Sequence, residues 1–213
     1  MNKISAIITS GGNSTRFGSN KLLESLGELS VLEMTISKFL DFVDEIIIPC
    51  NNEVKNHILN SRLFCGKIKF APSGETRQKS VYNGLMACSS SKIVLIHDGA
   101  RPYIEKEIIK KAIDLTFEKG AVLVGAMAID TIKEVKDGKI IKTLDRKNIF
   151  HAQTPQCFDF ELIKKIHEKY KNRDDFTDDS SMAQEYGVDV YILENEFDNS
   201  KITFKKDIKK PLR

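Results

Sequence analysis

Short apolar runs alternate along the chain with segments in which apolar residues recur every three or four positions. The runs are rich in β-branched residues and predict strands at 3–9, 45–50, 67–71, 92–97, 120–129 and 188–193. The periodic segments predict helices at 31–43, 104–117 and 160–170. Ser30 and Glu33 form the pattern of a capping box at the start of the first helix. This alternation predicts an α/β fold with a mainly parallel sheet that is covered by helices on both faces.

The alternation breaks after residue 129, where the sequence KEVKDGKII occupies positions 133–141. Asp137 and Gly138 separate two short strand-like segments, and Asp-Gly is a typical pair for a two-residue hairpin turn. We therefore predict a protruding β-arm within residues 131–150, through which the chain pairs with a second copy as a homodimer. Since no linker, internal repeat or low-complexity segment interrupts residues 1–213, we expect a single domain.

Three polar stretches follow three of the predicted strands. They are SGGNSTRFGSNK at 10–21, PSGETRQKS at 72–80 and HDGARP at 97–102. The carboxyl ends of parallel strands lie at one edge of a sheet, and ligands of such sheets bind outside that edge. We therefore expect the three stretches to build one site.

The glycine-rich stretch carries Arg16 and Lys21 on either side of Gly18. Glycines allow the backbone to approach a ligand closely, and the two cations favour a phosphorylated one. The stretch is not a P-loop because Ser19 and Asn20 precede the lysine, and it lacks the dinucleotide fingerprint G-x-G-x-x-G. A nucleotidyltransferase loop that wraps a nucleoside triphosphate fits the pattern. A purely structural glycine turn is the alternative.

The stretch HDGARP places Asp98 directly after an apolar strand. A carboxylate at this position can bind Mg²⁺ or a substrate hydroxyl, and Arg101 can hold a phosphate. An Asp-Gly turn without ligand contacts is the alternative. We expect His97 to pack at the end of the strand. The four histidines include no pair at i, i+4 spacing, so we expect no histidine metal site.

Composition mainly excludes classes of protein. The chain has 213 residues with 41% hydrophobic and 30% charged content, which is typical of a globular domain. The net charge is only +3 and both signs are mixed along the chain, which argues against a nucleic-acid-binding protein. No apolar stretch approaches the roughly 20 residues that span a bilayer, so we expect a cytoplasmic protein without membrane contact. The four cysteines lack C-x-x-C spacing, and we expect neither disulfides nor a zinc site.

Seven motifs together resemble those of one enzyme family in order and spacing. They are SGGNSTRFGSNK, GETRQKSVYNGL, HDGARP, IDTIKEV, LDRKNIFHAQTPQCF, FTDDSSMAQEYG and NSKITFKKDI. Over almost its whole length, the chain resembles the 2-C-methyl-D-erythritol 4-phosphate cytidylyltransferases. The related ribitol-5-phosphate cytidylyltransferases tend to have a serine-valine pair at Gly99-Ala100 and a different sequence around Arg146. One departure from the family pattern is that Lys21 lies between Asn20 and Leu22, where proline and glutamine are common.

This resemblance implies a Rossmann-like sheet of the nucleotide-diphospho-sugar transferase type. It also implies an enzyme that uses Mg²⁺ and transfers a cytidylyl group from CTP to 2-C-methyl-D-erythritol 4-phosphate. Transfer to ribitol 5-phosphate or another sugar phosphate is one alternative, and a non-catalytic nucleotide-binding module is another. The module would bind CTP but release no pyrophosphate with any acceptor.

The resemblance also implies roles for individual residues. The expected catalytic residues are Arg16, Lys21, Arg146 and Lys201. Arg16 and Lys21 would stabilise charge on the triphosphate, and Lys201 would lie near the α-phosphate. The cytidine moiety would be held by Gly11, Gly12, Gly74, Glu75 and Ser80.

The remaining implied roles concern the acceptor. Asp98 and Arg101 would face the sugar phosphate or the Mg²⁺, with Asp98 as the metal ligand. Thr131 and Arg146, which lie on the β-arm, would bind the sugar phosphate in the neighbouring subunit. Thr154 and Thr177 would line the same region.

Overall fold

The computed structural model describes residues 3–11 and 20–208 of the chain, which contain eleven strands and six α-helices. The strands are β1 Ile4–Thr9, β2 Ser25–Leu26, β3 Leu29–Ser30, β4 Glu45–Cys50, β5 Ile68–Pro72, β6 Ile93–Asp98, β7 Ala121–Met127, β8 Lys133–Lys136, β9 Lys139–Thr143, β10 Phe150–Asp159 and β11 Tyr191–Glu194. The helices are α1 Val31–Phe39, α2 Asn52–Leu59, α3 Arg77–Ala87, α4 Lys106–Lys119, α5 Phe160–Lys169 and α6 Asp179–Glu185. None of these helices is both long and apolar enough to cross a membrane.

Seven of the strands form one sheet in the order β11-β7-β10-β6-β1-β4-β5. Strand β10 runs antiparallel to its neighbours β6 and β7, whereas the other paired strands of this sheet are parallel. The predicted mainly parallel sheet is confirmed. The carboxyl ends of β1, β4, β5 and β6 consequently lie side by side at one edge.

Alternate residues of the central strands bury opposite faces of the sheet. Ala6 and Ile8 of β1 pack in a core that includes buried residues of α1, α2 and α4. Ile7 packs in a second core, together with buried residues of α3, α5 and α6. All three side chains are fully buried. A strand buried on both faces reads as a continuous apolar run, which explains why the central strands were predictable from the sequence.

The boundaries and the number of elements differ from the sequence-based expectation. The capping box of Ser30 and Glu33 is confirmed, but helix α1 ends at Phe39, four residues earlier than predicted. Helices α2, α3 and α6 and strand β10 were not predicted. Helix α3 buries Gln78, Ser80 and Gly84 beside its apolar residues, so its apolar periodicity is weak.

The predicted hairpin turn is confirmed at Asp137 and Gly138, which connect β8 and β9. Both residues have positive φ angles, of 51° and 76°, as a type I′ turn requires. All residues of the two strands are exposed in the single chain.

A buried carboxylate joins several elements at the opposite edge of the sheet. Glu45, the first residue of β4, is 1% exposed. Its carboxylate accepts hydrogen bonds from the Ser5 hydroxyl, the Ser89 backbone N–H and the Lys69 ammonium, at 2.6, 2.8 and 2.7 Å. Burial alone would raise the pKa of Glu45, but the hydrogen bonds from Lys69, Ser5 and Ser89 outweigh it and lower this pKa to about 2.

We predict that Glu45→Gln lowers the free energy of unfolding by about 2 kcal/mol at pH 7, because it removes a buried, hydrogen-bonded charge. The folded pKa lies below the ordinary value of 4.5, so this contribution is present above pH 4.5 and is lost as the pH falls towards 2. Urea unfolding of the variant and the wild type at pH 7 and pH 3 checks this. Glu28→Gln is the control, because Glu28 forms an exposed ion pair with Arg62. It should change the free energy of unfolding by less than about 1 kcal/mol. An equal Glu45→Gln effect at both pH values would contradict the prediction.

Candidate active site

A cavity of about 380 Å³ opens at the carboxyl edge of the sheet. Its lining includes residues 9–11 at the end of β1, 73–77 after β5 and 98–100 at the end of β6. The other lining residues are Lys21, Leu22, Asn51, Ser80 and Lys201. The described parts of the three polar stretches therefore meet in one place, as the sequence predicted. A ligand in this cavity contacts loops whose positions are fixed by adjacent strands.

The candidate residues fall into three groups. Those that line the cavity are Gly11, Lys21, Gly74, Glu75, Ser80, Asp98 and Lys201. Those that are described but do not line it are Arg101, Thr131, Arg146, Thr154 and Thr177. Gly12 and Arg16 lie outside the described residues.

Glycine shapes the wall of the cavity beside helix α3. The Gly74 N–H donates to the Ser80 hydroxyl at 2.9 Å. A Cβ atom at Gly74 would lie only 2.8 Å from the backbone nitrogen of Ser80, and one at Gly11 would lie 3.0 Å from its hydroxyl oxygen. Glycine at both positions therefore lets two loops meet at Ser80. The resulting wall presents backbone and small polar side chains such as Ser73 and Ser80, which suits a planar group such as a nucleobase.

Asp98 is the centre of the charged wall. It is 7% exposed and is approached by three cations. Lys201 Nζ lies 2.8 Å from Oδ2, Arg77 Nε lies 3.3 Å from Oδ1, and Arg101 Nε lies 3.5 Å from Oδ2. Burial opposes the charge of Asp98, but Arg77 and then Lys201 hold its pKa far below its usual range. The carboxylate is therefore ionised and gathers more positive charge than it neutralises.

Arg77 is a residue of the site that the sequence analysis missed. It lines the cavity and bridges Asp98 to Asp179, whose Oδ2 is 2.7 Å from Arg77 Nη1. Burial would raise the pKa of Asp179, but Arg77 and the hydrogen bond from His167 lower it to about 2. The sequence could have indicated Arg77, because it is a cation in a polar stretch that directly follows a strand. The same feature led to the selection of Arg16.

Thr154 supports Asp98 from behind the cavity. Its hydroxyl accepts a hydrogen bond from the Asp98 backbone N–H at 3.1 Å and lies 3.0 Å from His97 Nδ1. Burial lowers the pKa of His97 to about 4, so the ring is neutral at pH 7. His97 Nε2–H then donates to the Arg101 carbonyl at 3.1 Å, and Nδ1 accepts from Thr154. The expectation that His97 packs at the strand end is confirmed by its ring contact with Phe39, with centroids 4.8 Å apart.

The guanidinium of Arg101 points towards protein groups. Its Nη1 donates to the Asn199 carbonyl at 2.7 Å, and its side chain is 13% exposed. Burial lowers the pKa of Arg101, against the influence of Asp98. In this geometry Arg101 holds the backbone of residue 199, two residues before Lys201, in place.

The residues present can assist a metal ion only in a limited way. Among the described residues, no three His, Cys, Asp or Glu side chains come together as a metal cluster. The lining contains two carboxylates, Asp98 and the exposed Glu75, which pairs with Lys79. Mg²⁺ commonly retains waters and binds through one or two carboxylates together with substrate phosphates. The site therefore fits a Mg²⁺ ion that arrives with a polyphosphate.

Three of the six candidates on the acceptor side lie at the surface of the single chain. Thr131 and Arg146 are exposed at the base of the β-arm, where Arg146 Nη1 donates to the Ile129 carbonyl. Thr177 is exposed immediately before Asp178, the N-cap of α6. A single chain does not bring these three residues into the cavity.

Comparison with known proteins identifies similar chains. The sequence model of the 2-C-methyl-D-erythritol 4-phosphate cytidylyltransferase family matches residues 4–211. The chain is 39% identical to the protein of that name from Clostridium botulinum strain Eklund 17B, over 96% of both chains. It is 38% identical to the one from Clostridioides difficile strain 630, over 96% of this chain and 90% of the relative. The crystal structure of 4-diphosphocytidyl-2C-methyl-D-erythritol synthase from Anaerococcus prevotii superposes with a TM-score of 0.86 at 32% identity, over 97% of this chain and 95% of that one.

We predict that Asp98→Asn strengthens the binding of inorganic pyrophosphate about 3–10-fold when divalent ions are absent, because it removes a negative charge from the cavity wall. Isothermal titration in the presence of a chelator measures this effect. Asp114→Asn is the matched control, since it removes an exposed carboxylate of α4 that does not line the cavity. Unchanged or weaker binding by a folded Asp98→Asn variant would refute the electrostatic account of the cavity.

Proposed function

We infer the reaction from one premise, that this chain belongs to the 2-C-methyl-D-erythritol 4-phosphate cytidylyltransferase family. It is a CTP-dependent nucleotidyltransferase that converts CTP and 2-C-methyl-D-erythritol 4-phosphate to the CDP-linked methylerythritol and pyrophosphate, in isoprenoid precursor synthesis. The observation that carries the inference is the full-length family match, joined to a cavity with a glycine wall and a cationic wall. Because CTP is a cytoplasmic metabolite, we place the reaction in the cytoplasm.

The chemistry of the transfer defines what the site must do. An oxygen of the acceptor phosphate attacks the α-phosphorus of CTP, and a new P–O bond forms. The bond from the α-phosphorus to the oxygen that bridges to the β-phosphorus breaks, and pyrophosphate leaves with that electron pair. Two anions must approach each other in this step. Positioning and charge neutralisation are therefore the main catalytic tasks, and no covalent intermediate is needed.

The two lysines of the cavity supply the neutralising charge in this proposal. Lys21 Nζ donates to the Ile202 carbonyl at 2.8 Å, so this cation lies beside the segment that carries Lys201. We assign Lys201 to the α-phosphate and Lys21 to the triphosphate, together with Arg16. Arg77 adds positive charge to the same wall and keeps Asp98 in place.

The nucleoside is assigned to the opposite wall of the cavity. Gly11 and Gly74 present backbone there, and Ser80 joins their loops. We assign the cytidine moiety to these residues together with Gly12 and Glu75. Mg²⁺, when bound with the triphosphate, offsets the charge of phosphate oxygens, and Asp98 is the buried carboxylate that can assist in holding it. Thr154 and Arg101 act through Asp98 and the segment of Lys201.

The acceptor side is assigned to two chains. Four apolar side chains of the β-arm and its base are more than half exposed, namely Ile129, Val135, Ile140 and Ile141. A two-stranded hairpin cannot bury them by itself. Pairing with the arm of a second copy would cover them in a symmetric interface. Thr131 and Arg146 would then reach the partner's cavity, where they bind the acceptor phosphate with Thr177.

The substrate assignment is tested by pyrophosphate release with CTP, Mg²⁺ and either 2-C-methyl-D-erythritol 4-phosphate or ribitol 5-phosphate. We expect a preference of about 100-fold or more for the methylerythritol substrate, and loss of activity in excess chelator. A preference for ribitol 5-phosphate would support the related enzyme class. CTP binding without pyrophosphate release for any acceptor would support a non-catalytic module. Full activity in excess chelator would exclude a metal requirement.

Assignment of the site to two chains predicts complementation between inactive subunits. Lys21→Ala should lower kcat about 10²–10³-fold because it removes a preorganised contact to developing charge. Arg146→Ala should also lower turnover. In a mixed dimer one site holds both defects and the other holds neither, so random exchange should restore about a quarter of the wild-type sites. The measurement is pyrophosphate release before and after mixing.

The control for this experiment is each variant carried alone through the same exchange procedure. Formation of the mixed dimer is verified by mass difference between tagged and untagged subunits. No recovery in a verified mixed dimer would place Arg146 in the site of its own chain and contradict the shared site.

A further inference from the structure

The segment of residues 195–203, which we call the C-terminal segment, crosses one side of the cavity without helix or strand structure. Three of its side chains are buried despite this irregular backbone. Asn195, Asn199 and Ile202 are exposed by 3%, 2% and 0%. Buried amides in an irregular segment indicate that side-chain hydrogen bonds determine its path.

Asn199 connects the C-terminal segment to residues beside the cavity. Its amide nitrogen donates to the Thr154 carbonyl at 2.8 Å and to Gln153 Oε1 at 3.0 Å. Its backbone carbonyl accepts a hydrogen bond from Arg101 Nη1 at 2.7 Å. The side-chain amide of Asn199 is thus bonded to β10, and its backbone carbonyl is bonded to the loop after β6.

Lys201 follows two residues later, between this anchor and a second one. The Ile202 backbone N–H donates to the Ala100 carbonyl at 2.8 Å. Lys201 Nζ then reaches Asp98 Oδ2 at 2.8 Å. A lysine side chain has a flexible four-carbon stem, so its ammonium is placed reproducibly only if the backbone at its base is fixed.

We propose that Asn199 is a positioning residue for Lys201, and that Arg101 assists it by holding the Asn199 carbonyl. This inference rests on the proposed function, in which Lys201 acts on the phosphates of CTP. Asn199 does not line the cavity, so its influence on turnover passes through the lysine. Loss of the amide frees the backbone beside Lys201 while the opposite, glycine wall of the nucleotide site remains intact.

Asn195 provides a matched control within the same segment. It is also a buried asparagine, and its amide donates to the same Gln153 oxygen, at 3.4 Å. Its backbone N–H donates to the carbonyl of Gly125 in β7, and Asn195 lies six residues before Lys201 in the sequence. A merely structural role for these asparagines predicts equal effects of both truncations on activity. A positioning role for Asn199 predicts unequal effects.

The test compares Asn199→Ala, Asn195→Ala, Lys201→Ala and the double variant Asn199→Ala/Lys201→Ala. We expect Asn199→Ala to lower kcat about 10–100-fold with a smaller loss of nucleotide binding, because a misplaced group costs more in rate than in binding. Asn195→Ala should keep kcat within about threefold of the wild type, although both truncations lower Tm. The double variant should be no slower than Lys201→Ala. Equal losses of kcat for the two asparagine variants, or additive losses in the double variant, would overturn the proposal.

A second readout separates this proposal from the reaction assignment. Binding of CMP, which carries the α-phosphate assigned to Lys201, is measured by isothermal titration without turnover and should weaken in Asn199→Ala and in Lys201→Ala, without further loss in the double variant. It should be unchanged in Asn195→Ala. If the wild type releases no pyrophosphate from CTP but this binding pattern holds, the reaction assignment fails and the positioning role stands. If the wild type is active and Asn199→Ala binds CMP normally, the positioning role fails.

Discussion

The buried carboxylate of Asp98 holds together parts of the chain that are distant in sequence. Arg77 comes from the first turn of α3, Arg101 from the loop after β6, and Lys201 from the C-terminal segment. Without a central anion, three cations at this spacing would repel one another. Burial makes the ion pairs stronger and also makes an unpaired charge costly, so Asp98 and its cations depend on each other. The wall of the cavity thereby keeps an excess of positive charge in a fixed arrangement.

This arrangement explains how the site can work without a side-chain nucleophile. The two buried histidines near the site already have protein partners: His97 is neutral and bonded to Thr154 and the Arg101 carbonyl, and His167 is bonded to Asp179. Transfer of a cytidylyl group requires the approach of two anions, and fixed cations can stabilise that approach without reorganisation. Preorganised positive charge is therefore the main catalytic resource in the proposed mechanism. The glycine wall beside Ser80 complements it in this mechanism, because it leaves space that we assign to the nucleoside.

The sequence was sufficient for the fold class and for the meeting of the three polar stretches at one cavity. The central strands are buried on both faces, so they appear as continuous apolar runs, and the polar stretches that follow them necessarily meet at one sheet edge. Strand β10 and helix α3 were not predicted because the local pattern of apolar and polar residues does not indicate them. The first lies beyond the β-arm as an antiparallel insertion, and the second buries polar residues. The bridge from Arg77 to Asp179 and the bond from Arg101 to Asn199 span about a hundred residues each. Such pairings depend on tertiary contacts, which no single-sequence pattern specifies.

The central claim is that the protein holds CTP and the acceptor phosphate for direct transfer and forms no covalent bond with either. The stereochemical course at the α-phosphorus tests it most directly. A single diastereomer of CTP that carries sulfur on the α-phosphorus is converted with the methylerythritol substrate, and the configuration of the product is determined by ³¹P NMR. One in-line displacement predicts inversion of configuration at phosphorus. Retention would require two displacements through a covalent enzyme intermediate and would contradict the account.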